Sequence, residues 1–322
     1  MALRFLIIFG LVMALTAPVG AKEKLSVAYL DEDSHRAVFY ALEEKILKSD
    51  LIEVETRALN IPALIQATGA KQFDIIQTAV VAVPQLQQRG VHLKILSVAL
   101  HAKGQATGIF VRADSPLKTP ADLKGRSLAV EALGATVTTY MRYALFKKHG
   151  LNVNLKNGDV KFEQIPRDVI PSLLAQQRID AGYLYHTPAY KLRRDPGYRI
   201  LTETIQDYVA LTGQRPVTAL MVAYPETVEK RGPALKEFNR LLKASMEYAR
   251  TKPEVLDAVA KKHSTTSDFL KDWFANQYDF PATINEELAK GITIIWQATK
   301  ELGDLAQVPD VNQHIWWEGV AR

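Results

Sequence analysis

Residues 115–145 read SPLKTPADLKGRSLAVEALGATVTTYMRYAL, and this stretch decides the fold. Asp122-Leu123-Lys124-Gly125 is a short helical turn closed by glycine. Residues 127–130 form a short apolar strand, and Gly134-Ala135-Thr136 opens an apolar-periodic helix running on through Tyr140, Met141 and Leu145. A strand that feeds a helix through a Gly/Thr loop leaves the first N–H groups of the helix without intrahelical partners. Those donors, the helix dipole and nearby hydroxyls together suit an anion.

The same β-loop-α-β grammar extends on both sides. Upstream, strands are expected at residues 25–30, 53–59, 74–77 and 93–100, with helices at 36–48, 61–70 and 79–89, the last closed by Gly90. Downstream of a strand at 108–112, the pattern restarts with strands at 127–130, 160–164, 181–185 and 200–203 and helices at 136–149 and 169–177. An apolar strand at 217–223 ends this second unit, and the remainder is mainly helical, at 234–251, 253–262, 267–278 and 285–302. This alternation predicts an α/β fold with mostly parallel sheets flanked by helices.

Two units of similar layout, joined near 108–113 and again near 214–219, imply two lobes and a two-stranded hinge. We expect residues 22–110 plus 217–322 as lobe 1 with its C-terminal helices, and 111–216 as lobe 2. Ligands of such lobes bind beyond the carboxyl ends of the strands, and a double crossing permits closure around them.

Composition narrows the functional classes. With 322 residues, 48 % hydrophobic and 23 % charged, the chain can bury two cores and has no disorder signature. Residues 1–21 carry one charge, Arg4, an apolar run from Phe5 to Leu15, and small residues at Val19-Gly20-Ala21. They read as a secretory signal peptide cleaved before Lys22, which places the mature chain in a periplasm. Removing Arg4 lowers the formal charge from +5 to +4. Lysines and arginines form no block with interleaved aromatics, so nucleic acid is not an expected partner. There is no cysteine, which excludes disulfides, thiol catalysis and lipidation at an N-terminal cysteine. The seven histidines show no HxH or HExxH spacing, and GxSxG, P-loop and GxGxxG motifs are missing, so neither catalytic residues nor a metal or other cofactor is expected.

Several pieces, in this order and spacing, carry a family resemblance. They are Ala63-Leu64-Ile65-Gln66-Ala67 followed by Phe73-Asp74-Ile75; Gln88-Arg89-Gly90-Val91 with Leu93-Lys94-Ile95-Leu96; Leu117 to Gly125; Gly134 with Met141 to Leu145; and Pro171 to Ala175 followed by Ile179-Asp180-Ala181. Over roughly residues 24–262 the chain resembles the periplasmic solute-binding proteins of ABC importers for nitrate, sulfonates, taurine and thiamine-type pyrimidines. The resemblance implies the two-lobed type II periplasmic binding fold and a monomer that captures a small ligand and delivers it to a membrane permease and its ATPase. It implies no catalysis. An enzyme of the pyrimidine-synthase-like branch and a ligand-sensing domain for a signalling partner are the alternatives. The chain departs from the family in two places. Ala135 stands where the family has serine, and Tyr185-His186-Thr187-Pro188 puts an imidazole where the family often has an acid, which disfavours a cationic ligand. The cysteine-rich motif of formyl-pyrimidine binders is missing.

Candidate ligand residues follow from strand ends facing the cleft. Ser34 and His35 follow the first strand, Thr78 and Ala79 follow the third, and His101 follows the fourth. Gly134, Ala135, Thr136 and Thr139 lie at the helix start of the second unit, with Thr136 best placed for a ligand oxygen and Thr138 also near. Tyr185 and His186 end a strand and would wall a planar or alkyl group. Arg215, at the second crossing, could fork onto a carboxylate, sulfonate or phosphonate. The expected solute is therefore small, organic and anionic. Trp316-Trp317 reads as an anchor for the chain terminus.

Overall fold

The computed structural model describes residues 22–263 and 265–320; the stretch read as a signal peptide, 1–21, lies outside them. The first half builds β1 (Glu23–Leu30), α1 (Asp33–Glu43), β2 (Ile52–Leu59), α2 (Ile61–Gly69), β3 (Ile75–Ala79), α3 (Ala82–Gln87) and β4 (Lys94–Ala102). The chain then makes β5 (Thr107–Arg112), β6 (Ser127–Val130), α4 (Thr136–His149), β7 (Lys161–Gln164), α5 (Ile170–Ala175), β8 (Ala181–Tyr185), α6 (His186–Leu192), β9 (Tyr198–Thr202) and α7 (Thr204–Thr212). It returns through β10 (Val217–Ala223) and closes with α8 (Pro225–Thr251), α9 (Pro253–His263), α10 (Ser267–Asp272), β11 (Tyr278–Asp279), α11 (Glu286–Glu301) and α12 (Val311–His314).

These strands form two sheets. One has the order β11-β4-β10-β3-β1-β2 and the other β7-β6-β8-β5-β9. Both are mixed, which corrects the mostly parallel expectation. β1 pairs in parallel with β2 and β3, and β6 with β7 and β8, as βαβ units require. The strands that carry the chain between sheets run the other way: β5 is antiparallel to β8 and β9, and β10 to β3 and β4. The two crossing segments lie side by side, with the Ala102 N–H donating to the Pro216 carbonyl at 3.1 Å.

The deciding stretch folds as read. A 3-10 turn at Pro120–Leu123 has Asp122 accepting from the Lys118 and Thr119 N–H groups, and β6 and α4 follow. Helix α4 stops at Gly150, whose φ of 69° lets its N–H return to the Leu145 carbonyl. Asn60 caps α2 by accepting from the Ala63 N–H at 2.9 Å. The larger core packs α1, α8 and α11 against the first sheet around Ile75, Ile76, Leu220 and Val222; a smaller one gathers Leu128, Val130, Met141 and Tyr183 in the second. The C-terminal part also reaches the second sheet's helices, through an ion pair of the buried Arg142 with the partly exposed Asp304 and a pair of Lys147 with Glu301 at 2.6 Å.

Three helices depart from their expected spans: α1 ends at Glu43 in place of 48, α8 begins at Pro225 in place of 234, and the third is the one expected at 267–278. In place of a helix at 267–278, α10 ends at Asp272, and a π-turn (Trp273–Gln277) leads into β11 on the edge of β4. The cause is competition for backbone carbonyls. Gln277 O accepts from the N–H groups of Lys103 and Gly104, and Phe274 O accepts from Lys103 Nζ. The first crossing thereby holds this segment open and turns Trp273 and Tyr278 inward. The Trp316-Trp317 pair divides: Trp316 packs on the main core, while Trp317 is exposed.

Candidate functional site in the cleft between the sheets

A cavity of about 70 Å³ lies where the carboxyl ends of β1, β3 and β8 meet the start of α4. Its wall is mostly apolar: Leu30, Ile61, Ile65, Leu100 and Val137 contribute, joined by the rings of Tyr185, Trp273 and Tyr278. Thr136 is the first residue of α4. Its Oγ1 accepts from the Val80 N–H at 2.8 Å, a direct link across the cleft that leaves the hydroxyl proton unspent. Ala135, at the N-cap, has no side-chain oxygen to satisfy the first-turn N–H groups, so they keep their donor capacity beside the cavity.

Behind this wall lies a buried polar cluster built from both sides. Glu32, Ser34 and His35 come from the turn into α1 and its first residues. Glu131 follows β6, Arg167 opens the turn after β7, Tyr185 ends β8 and His186 opens α6. Arg167 is paired with Glu32, lies 3.5 Å from Glu131 Oε2, and stacks with its guanidinium 4.6 Å from the Tyr185 ring centroid. The Tyr185 hydroxyl donates to Glu131. Ser34 Oγ lies 3.1 Å from His186 Nε2, and Gln77 Nε2 lies 2.8 Å from His35 Nε2. His186 has a φ of 57°, uncommon for a side chain of its size. This backbone brings the imidazole edge-on to Phe269 and Trp273, at 4.7 Å from each ring.

The family model described as NMT1/THI5 like matches residues 52–255, more than half of the chain. The chain belongs to the NMT1/THI5-like family. Comparison with curated protein sequences gives no match. Among solved structures the chain is similar to the periplasmic aliphatic sulphonate binding protein SsuA from Escherichia coli, with a TM-score of 0.71 at 18 % identity over 92 % of this chain and 99 % of that one. It is also similar to the alkanesulfonate-binding protein SsuA from Xanthomonas axonopodis pv. citri bound to MOPS, with a TM-score of 0.72 at 16 % identity over 92 % and 99 %. A third likeness is to a Candida albicans protein with the generic periplasmic binding protein fold, with a TM-score of 0.70 at 14 % identity over 91 % and 95 %. The two-lobed fold and the family that the residues resemble are therefore the ones found.

Of the residues singled out from sequence, Thr78, Ala79, Ala135, Thr136 and Tyr185 line the cavity, while Ser34, His35 and His186 belong to the cluster behind it. Four stand apart from the lining. Gly134 faces Ile65 across the cleft. Thr139 spends its hydroxyl on the Ala135 carbonyl, as Thr138 does on that of Ala132. His101 lies within β4, opposite Val217 and Asp279, and not in a loop after the strand. Arg215 is exposed, so the guanidinium expected to fork onto an anion is not at the cavity. Sequence reading missed Glu32, Gln77, Glu131, Arg167, Trp273 and Tyr278. Glu32 sits two residues before Ser34 and Arg167 in the loop after β7, so strand-end logic could have found both.

Burial holds both histidines of the cluster neutral. The pKa of His35 is pushed down to about 4, chiefly by desolvation, and that of His186 falls well below the usual value, by desolvation and the Arg167 charge. A depressed histidine contributes stability that is fully present above the free value of about 6.5 and lost as pH falls toward 4, about 3 kcal/mol for His35 over that range. Glu131 opposes this, because burial raises its pKa and favours its neutral form at low pH. Melting temperature should therefore fall between pH 7 and pH 4.5 more steeply for the native chain than for a His35→Gln/His186→Gln variant. Parallel pH profiles of the two proteins would remove the histidines from this account.

Proposed function

We propose that this chain is the solute-binding component of an ABC importer, exported to the periplasm after loss of residues 1–21. In this reading it acts as a monomer without catalysis. It takes a small organic solute into the cleft between its lobes and presents it to a membrane permease and its ATPase. The observation that carries the reading is the mostly apolar cavity between the two sheets, with the uncapped start of α4 and the Thr136 hydroxyl at its edge. A solute with an apolar body and a head that accepts hydrogen bonds suits that lining; the sulfonate, carboxylate or nitrate class expected from sequence falls among such acceptors. The lobe division at about 110 and 217 belongs to the same reading, and the pairing of Thr107 with Tyr185 favours a first boundary a few residues earlier.

Mass spectrometry of the protein isolated under native conditions should reveal a co-purifying small molecule, and a panel of candidate solutes should include at least one that raises the melting temperature. Thr136→Val keeps the shape and removes the donor. It should weaken that solute about tenfold, the worth of one hydrogen bond. An unchanged affinity would remove Thr136 from the site.

A further inference from the structure

We infer that the solute of this cleft is an uncharged, compact, largely apolar molecule whose head accepts hydrogen bonds, and not an anion. The inference rests on the reading of the cleft as a solute site and names its ligand class.

Charge is the first argument. Among the described residues that line the cavity there is no lysine or arginine, and the only ionisable carboxyl is that of Glu32. The nearby guanidinium, Arg167, is already shared between Glu32 and Glu131 and covered by Tyr185. One cation thus faces two carboxylates, and His35 and His186, buried beside them, are held neutral. An anion entering this closed space would add negative charge where none is spare to balance it. The desolvation of an unpaired ion costs more than a helix terminus returns. Arg215, the candidate counter-ion, is exposed.

The unspent polar groups are the second argument. Gln77 is engaged on both sides of its amide, its Oε1 accepting from the Leu30 N–H and its Nε2 facing His35. The Tyr185 hydroxyl is given to Glu131, and Glu32 is given to Arg167. Several donors stay unspent: the Thr136 proton, the first N–H groups of α4, and the indole N–H of Trp273, a buried cavity-lining residue whose Nε1 has no partner. A buried donor without a partner is costly and calls for an acceptor. An ammonium head brings donors alone and would leave these donors without an acceptor. A carbonyl, sulfonyl or heteroaromatic nitrogen on an alkyl or aryl body satisfies both arguments.

Calorimetric titration of the purified protein with matched pairs tests this: ethanesulfonate against ethyl methyl sulfone, butanoate against butanamide, benzoate against benzamide. The neutral member of each binding pair should bind at least tenfold more tightly. A tighter sulfonate or carboxylate overturns the inference and leaves the solute-binding reading standing. If the panel is silent, the charge of the molecule that co-purifies with the native protein decides, a net anion overturning the inference and an uncharged acceptor supporting it. If the panel is silent and nothing co-purifies, the solute-binding reading itself fails, and the inference with it.

Discussion

Arg167→Ala should deprive the cleft of its solute before it deprives the protein of its fold. The guanidinium joins Glu32 from the turn into α1 to Glu131 and Tyr185 of the second lobe, and all four groups are largely withdrawn from water. Removing one partner of a buried ion pair costs about 3–5 kcal/mol because the other charge is left uncompensated. Here that cost falls on closure. In the proposed open state Glu32 and Glu131 would reach water and need no partner; in the closed variant they would face each other without a cation between them. The expected result is a loss of roughly 10²–10³ in solute affinity. Small-angle scattering should also show a radius of gyration that no longer shrinks when solute is added. Replacing the whole pair, Glu32→Gln with Arg167→Met, should recover part of the affinity. If Arg167→Ala binds and compacts like the native chain, the cluster is not a clasp between lobes.

Trp296→Ala should have the largest effect on stability. Trp296 is fully buried in α11, meets the His314 ring edge-on at 5.4 Å, and donates its indole N–H to the Val80 carbonyl at 2.9 Å. The N–H of the same Val80 donates to Thr136. One residue just past β3 is thus held through its carbonyl by the C-terminal helix and through its N–H by the cleft. Deleting the indole opens a large cavity, a loss of about 3–5 kcal/mol. At about 2–4 °C per kcal/mol for a chain of this size, melting should drop by roughly 10 °C. Trp296→Phe fills most of the space but leaves the Val80 carbonyl unpaired, costing about 1–3 kcal/mol. Circular dichroism melts of both variants check the order. A Trp296→Phe variant that melts with the native chain would mean that packing alone, and not the bond to Val80, fixes this corner.

The alternation of short apolar strands with periodic helices was legible because burial imposes it locally. β1, β3, β6 and α4 stand close to where their hydrophobic patterns put them, and the return of the chain at β10 showed two lobes. Strand direction was not legible. A run such as VTALMVA is equally apolar whichever way it pairs, so the antiparallel placement of β5 and β10 emerges only when the sheets assemble. At the site, Thr136 and Thr139 look alike in sequence and differ by position in the helix. Four residues before Thr139 is a carbonyl, that of Ala135, that takes its hydroxyl, while the hydroxyl of Thr136, at the first position, bonds across the cleft. Glu32 and Arg167 are 135 residues apart, and no local pattern joins them. The π-turn that brings Trp273 inward depends on carbonyls claimed by a distant crossing strand, so periodicity could only continue the helix.

That inward turn also equips the molecule with an optical gauge. Trp273 stacks on Tyr278 with ring centroids 4.8 Å apart, stands edge-on to His186 of the opposite lobe, and forms part of the cavity wall. Of the four tryptophans in the chain, it is the one that lines the cavity. Its emission should therefore record occupancy directly, with no dye attached and no engineered reporter, in a chain whose lack of cysteine also leaves every position free for a single chosen thiol label.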